Sequence, residues 1–132
     1  MANNYITIDD ITNSLFSKIT SDTTKQVYVD KANEECESLA QTFGIMDTSD
    51  ISMPVGFTVK EYLVNIALYK FAGDYIGANQ VEVSDSDIYK LLFDRSLYLV
   101  NRFKPEITYE MLTNTVVNRY DRSVSFGRTV RG

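Results

Sequence analysis

The chain has 132 residues, 44% of them hydrophobic, enough for one domain with one core and too apolar to be disordered by composition. It has no His and a single cysteine, Cys36, which excludes an internal disulfide and argues against a cysteine-built metal site. The net charge of −5 divides into +3 on residues 116–132 and −8 on residues 1–115, so the body does not look like a duplex-DNA binder and only the tail has the sign for nucleic acid.

The opening Met1-Ala2-Asn3-Asn4-Tyr5 has no basic or apolar stretch, so no secretory signal is expected. No later run approaches the roughly 20 apolar residues of a membrane span, and a reducing cytoplasm fits the cysteine usage best. Thr7 with Asp10 three residues on is an Asp variant of the capping box, bracketed by Ile6 and Ile11 as a hydrophobic staple. Ile8, Ile11, Leu15 and Ile19 then share one face, which predicts a first helix over about 8–19. Ser21 or Asp22 opens a second helix, about 22–43. Its Tyr28, Ala32, Cys36, Leu39 and Phe43 form an apolar stripe, and Gly44 stops it. Residues 44–57 read as a loop punctuated by Pro54 and Gly56. Its Ile45, Met46, Ile51, Met53 and Val55 predict that it packs down on the body.

Thr58 and Glu61 make a second capping box, with Phe57 and Tyr62 as its staple. From there to Ile76 the chain is apolar almost all round (Leu63, Val64, Ile66, Ala67, Leu68, Phe71, Ala72), the pattern of a helix buried at the centre of a bundle. The start signal recurs at Ser84 and Asp87. The fourth helix carries Ile88, Leu91, Leu92, Phe93, Leu97, Leu99, Val100 and Phe103, and Pro105 ends it near residue 103. A short helical segment over about 106–113 holds Ile107, Met111 and Leu112. After Thr115 the character changes. Val124, Phe126 and Val130 alternate with Ser123, Ser125, Thr129 and Arg131, the period of an extended strand. The expected fold is therefore all-α, a bundle of about four main helices over 1–115, with an extended, strand-prone C-terminal arm over 116–132.

Catalytic signals are weak. The commonest neutral-pH acid–base side chain is missing, and there is no phosphate-binding glycine motif. Cys36 lies on the apolar stripe of the second helix, where packing is a better reading than a reactive thiol. Asp9-Asp10 and Asp85-Asp87 sit in first turns of helices, where capping and the helix dipole explain them better than metal binding. Asp47-Thr48-Ser49-Asp50 lacks the regular ligands and closing Glu of a calcium loop. No enzyme activity, cofactor or metal is expected. Tyr62, Tyr69, Tyr75, Tyr89 and Tyr98 suit either the edge of the core or a subunit interface.

The tail is the sharpest feature. A strand on a helical body has no sheet of its own, and its unpaired backbone groups invite a partner's sheet edge. In that mode Val124, Phe126 and Val130 fill pockets. Arg119, Arg122, Arg128 and Arg131, with Tyr120 beside them, meet acidic surface or phosphate. The bland alternative is a solvated C-terminus.

The order of parts resembles the head–tail connector (head-completion, or adaptor) proteins of tailed bacteriophages. Tyr5-Ile6-Thr7-Ile8-Asp9-Asp10-Ile11 leads into a short helix. An acidic amphipathic helix ends in Phe43-Gly44, and apolar helices follow from Thr58 and Ser84. The tail Asn118-Arg119-Tyr120-Asp121-Arg122-Ser123-Val124-Ser125-Phe126-Gly127-Arg128 then leaves the bundle. The resemblance covers most of the chain as a pattern of elements. It implies a dodecameric homo-oligomeric ring in the virion neck, assembled in the host cytoplasm, docked under the portal protein and meeting neck or tail proteins. The arm would add a strand or wedge to the portal, and DNA would pass through the lumen without specific binding. A tail stopper or terminator is a neighbouring alternative. A small regulatory nucleic-acid-binding protein using the Arg-rich tail is an alternative of another class, and a small enzyme is a third.

Overall fold

The computed structural model describes residues 3–78 and 83–114. Among them are five α-helices and no strand: α1 (Ser14–Ser17), α2 (Asp22–Thr42), α3 (Phe57–Ala78), α4 (Val83–Phe103) and α5 (Tyr109–Thr113). Short 3-10 turns lie at Ile8–Asp10, Thr48–Asp50 and Lys104–Glu106. Three of the helices are long, where four main helices were expected.

The difference lies in the predicted first helix, which the structure breaks in two. The Asp10 carboxylate accepts the Thr7 N–H at 2.8 Å and closes a single turn. Ile11 is then extended, at φ −100° and ψ 102°. Asn13 starts the chain over, its side chain accepting from the N–H groups of Leu15 and Phe16 at 2.9 and 3.2 Å. Short polar side chains that bond nearby backbone compete with helix continuation in this way. The broken path still buries Tyr5, Ile6, Ile11 and Phe16, so the apolar spacing marked core contacts without marking one helix.

α2 follows its local signals at both ends. Ser21 caps α2, accepting the Thr24 N–H at 3.2 Å. At the far end Gly44 has φ +85°; its N–H bonds Gln41 O at 2.9 Å, and the Ile45 N–H bonds Ala40 O at 3.1 Å. These are the two bonds of a Schellman stop, and they need the left-handed residue that Gly supplies. The following loop is held by buried Ile45 and Ile51 and by the Ser52 N–H to Leu112 O at 2.7 Å. Met46 and Met53 are exposed, against the expectation that they pack down. α3 begins two residues early, with Gly56 O accepting the Lys60 N–H at 2.9 Å. Thr58 thus lies in the first turn instead of at the cap, and Phe57 is left 73% exposed.

α3 is the middle layer. It packs against α2 on one side and α4 on the other, which is why its sequence is apolar almost all round. Phe71 is the hub: its ring meets Phe16 of α1 (5.5 Å), Tyr28 of α2 (5.7 Å) and Tyr89 of α4 (5.7 Å), all edge to face. Such geometry adds to the area each ring buries. Tyr75 and Tyr89 stack at 3.8 Å. Gly73 lets α4 approach closely, because a Cβ there would sit 3.1 Å from Phe93 Cε1.

The N-terminal segment is strapped across α2 by polar contacts. Buried Asn33 accepts the Ile6 N–H at 3.0 Å and donates to Ile6 O at 3.2 Å. The Tyr5 hydroxyl donates to Glu37 at 2.6 Å, and Asp10 reaches α3 through Lys60 at 3.1 Å.

Candidate functional site

The sequence placed its partner-binding residues on the arm: Arg119, Tyr120, Arg122, Val124, Phe126, Arg128, Val130 and Arg131. All lie outside the described residues, as does the expected strand. The structure does fix α5, the last helix before them in the sequence. Thr108 caps α5, accepting the Met111 N–H at 3.2 Å, and Ile107 and Leu112 anchor the helix in the core. Asn114, with φ 57°, closes α5 in the left-handed conformation; Asn tolerates that region better than other side chains. Asn114 also lines a groove of about 540 Å³ between the loop at 52–56, the start of α3 and α5. Exposed Met53, Phe57 and Met111 give this groove an apolar wall, and Glu110 lies among its lining residues.

A second open groove, of about 560 Å³, runs over α3. Its floor is Tyr69, Lys70, Gly73 and Asp74, one wall is α2 from Lys31 to Ser38, and Phe93 of α4 forms the other. Lys31 and the Tyr28 hydroxyl both bind Asp74, at 3.8 and 3.0 Å, and close one end. Glu34 and Glu35 stand in the middle of the α2 wall. Opposite the groove, the outer face of α4 carries Ile88, Leu91 and Tyr98, which are 48%, 71% and 64% exposed. Arg95 and Arg102 fall on the same face. The tyrosines therefore divide: Tyr62 and Tyr89 are core, Tyr69 and Tyr75 are half-buried, and Tyr98 is a surface residue.

Three further polar groups have structural work. The Cys36 thiol is buried, and burial, with the nearby Glu37 charge, pushes it up to about 12. At neutral pH it is a packed thiol and not a nucleophile. Burial and the hydrogen bond to Asp74 likewise raise the Tyr28 hydroxyl to about 12. Asp47 accepts both the Ser49 N–H (3.0 Å) and its hydroxyl (2.8 Å), closing a turn. Among the described residues no group of three or more acidic or Cys side chains is placed to hold a metal ion. The arrangement of the described residues suits surface recognition: two open grooves and one exposed apolar stripe. Asn33 and the α4 stripe were not singled out from the sequence. For the stripe a signal existed, since residues 88, 91, 95, 98 and 102 repeat at alternating spacings of three and four.

Compared with protein-family models, with curated proteins and with solved structures, the chain has no match.

Proposed function

We propose that this chain is a structural adaptor of a tailed-phage virion. In this reading the helical body forms a ring under the portal, and the arm over 116–132 docks on the portal to join head to tail. The observation that carries it is the pairing of a helical body with a basic, alternating segment. The described body ends at Asn114, which lines an exposed apolar groove. A helical body offers the arm no sheet edge among the described residues, so a partner must supply one. The body's net charge of −8 suits a lumen that passes DNA without gripping it. The chain acts without catalysis, cofactor or metal, and its partners are the portal protein, neck or tail proteins and further copies of itself.

The test is electron microscopy of a portal ring from the same genome, mixed with the full chain, with residues 1–115, and with the full-length Phe126→Asp variant. The full chain is expected to decorate one end of the portal and the other two to lose it. A full chain that never binds the portal refutes the reading. So does tight nucleic-acid binding by the free chain at physiological salt, which supports the regulatory alternative.

A further inference from the structure

Among the described residues two surfaces of the body are left uncovered, and they complement each other. The first is the outer stripe of α4. Leu91 and Tyr98 are seven residues apart, about 10.5 Å along a helix, with Arg95 midway between them. The second is the groove over α3. Its α2 wall runs from Lys31 to Ser38, also seven residues and about 10.5 Å, with Glu34 and Glu35 at its middle. Among the described residues neither those two carboxylates nor Arg95 or Arg102 forms an ion pair. An arginine at the centre of the stripe and carboxylates at the centre of the groove match whichever way the incoming helix runs. Gly73 lies on the groove floor against Phe93, the groove's α4 wall.

The two surfaces cannot meet within one molecule. At about 100° per residue, Phe93, which walls the groove, lies on the side of α4 opposite Leu91, Arg95 and Tyr98. The stripe of one copy must therefore seat in the groove of another. A contact between two different patches is heterologous and repeats head to tail, closing a ring if the rotation allows it.

We propose that the α4 stripe of one copy (Ile88, Leu91, Arg95, Tyr98) docks in the groove between α2, α3 and Phe93 of a second copy of this chain. This deepens the ring reading and rests on it only for taking the partner to be a second copy. Each body then offers one donor and one acceptor surface. Arg95 meets the Glu34–Glu35 wall, and Leu91 and Tyr98 cover Tyr69 and Gly73.

The experiment is sedimentation of the full chain, alone and in mixtures. The stripe variant is Leu91→Glu with Tyr98→Glu; the groove variant is Glu34→Lys with Glu35→Lys. Circular dichroism confirms that each folds. The wild type is expected to associate with rising concentration, and each variant alone to sediment as a monomer. An equal mixture of the two should form a dimer and nothing larger, since only one productive contact remains. Adding Arg95→Glu to the groove variant should restore association at least tenfold. A wild type that stays monomeric up to about 1 mM, a Kd corresponding to only about 4 kcal/mol, overturns the proposal. Either variant assembling alone, or a mixture that gives no dimer, does the same. The adaptor reading fails separately: a chain that self-associates through the stripe yet ignores the portal keeps this contact and loses that function.

Discussion

Asn33 is the strongest single test of how the N-terminal segment is held. Its side chain is 1% exposed and Ile6 is fully buried. The amide satisfies both backbone groups of Ile6, at 3.0 and 3.2 Å. Asn33→Ala removes both partners and leaves an N–H and a C=O buried without bonds. Each such group costs about 1–3 kcal/mol, so the pair costs about 2–6 kcal/mol if no water enters. Some relaxation of the segment toward solvent brings the expected loss to about 3 kcal/mol. That is a large share of the roughly 5–15 kcal/mol that holds a domain together. It corresponds to a fall in Tm of roughly 12 °C, at about 4 °C per kcal/mol for a chain of this size. The assay is urea unfolding followed by far-ultraviolet circular dichroism, with hydrogen exchange at the backbone amides. The midpoint should fall with an unchanged slope, and exchange should rise most over 5–11. A loss below about 0.5 kcal/mol, the size of an ordinary surface substitution, would refute the strap.

Three further outcomes follow from the core and its charges. Phe71→Ala should cost about 3–5 kcal/mol by the same unfolding assay, because four rings lose their common neighbour; a loss below about 1.5 kcal/mol contradicts the hub. A thiol reagent at neutral pH should label Cys36 only as fast as the chain unfolds, since the thiol is buried and raised to about 12; rapid labelling in native buffer argues against that packing. Burial pushes the Asp10 carboxyl up, but the Thr7 N–H and Lys60 outweigh it and hold it below its ordinary 3.8. Its stabilising effect is therefore full above that value and lost as pH falls through the lower, folded-state value. Asp10→Asn should be less stable than wild type at neutral pH, with the gap closing in acid; a gap that does not change with pH would sink the assignment.

Legibility in the sequence followed the physics of each signal. Gly44 and Ser21 act through bonds to residues three or four positions away, and both did what their types dictate. The all-round apolarity of α3 reports burial on both flanks and needs no knowledge of the neighbours. The first helix failed because Ile8, Ile11, Leu15 and Ile19 mark what is buried, while Asp10 and Asn13 decide where backbone bonds stop. Those two polar side chains outweighed the periodicity. Phe57 and Met53 could not be read, since an apolar residue at a loop–helix junction looks the same whether it packs inward or outward. Asn33 was invisible for a related reason. Its partner is a backbone 27 residues away, and only the tertiary path brings them together. The arm residues, from Arg119 to Arg131, lie outside the described residues, so their alternation remains a sequence argument.

The two outer helices carry different outer faces, and that difference bears on the work of the arm. α2 presents one apolar residue, Val27, with Lys31, Glu34, Ser38 and Gln41, whereas α4 presents Ile88, Leu91 and Tyr98. A lone exposed Leu needs no explanation, but three large apolar residues aligned on one face, with arginines at the same spacing, are a surface. The stripe belongs to α4, and the arm follows α5 in the sequence, so on the proposed reading they have separate tasks. A chain cut after residue 115 should keep the concentration-dependent association of the full chain, because stripe and groove both lie within the body. It should lose portal docking, because the alternating segment is gone. Sedimentation of the two chains side by side decides this. If the cut chain is monomeric where the full chain associates, the arm itself links the copies. The exposed groove at Met53, Phe57 and Met111 would then be its acceptor, and the partner supplying the arm's missing surface would be another copy of this chain instead of the portal.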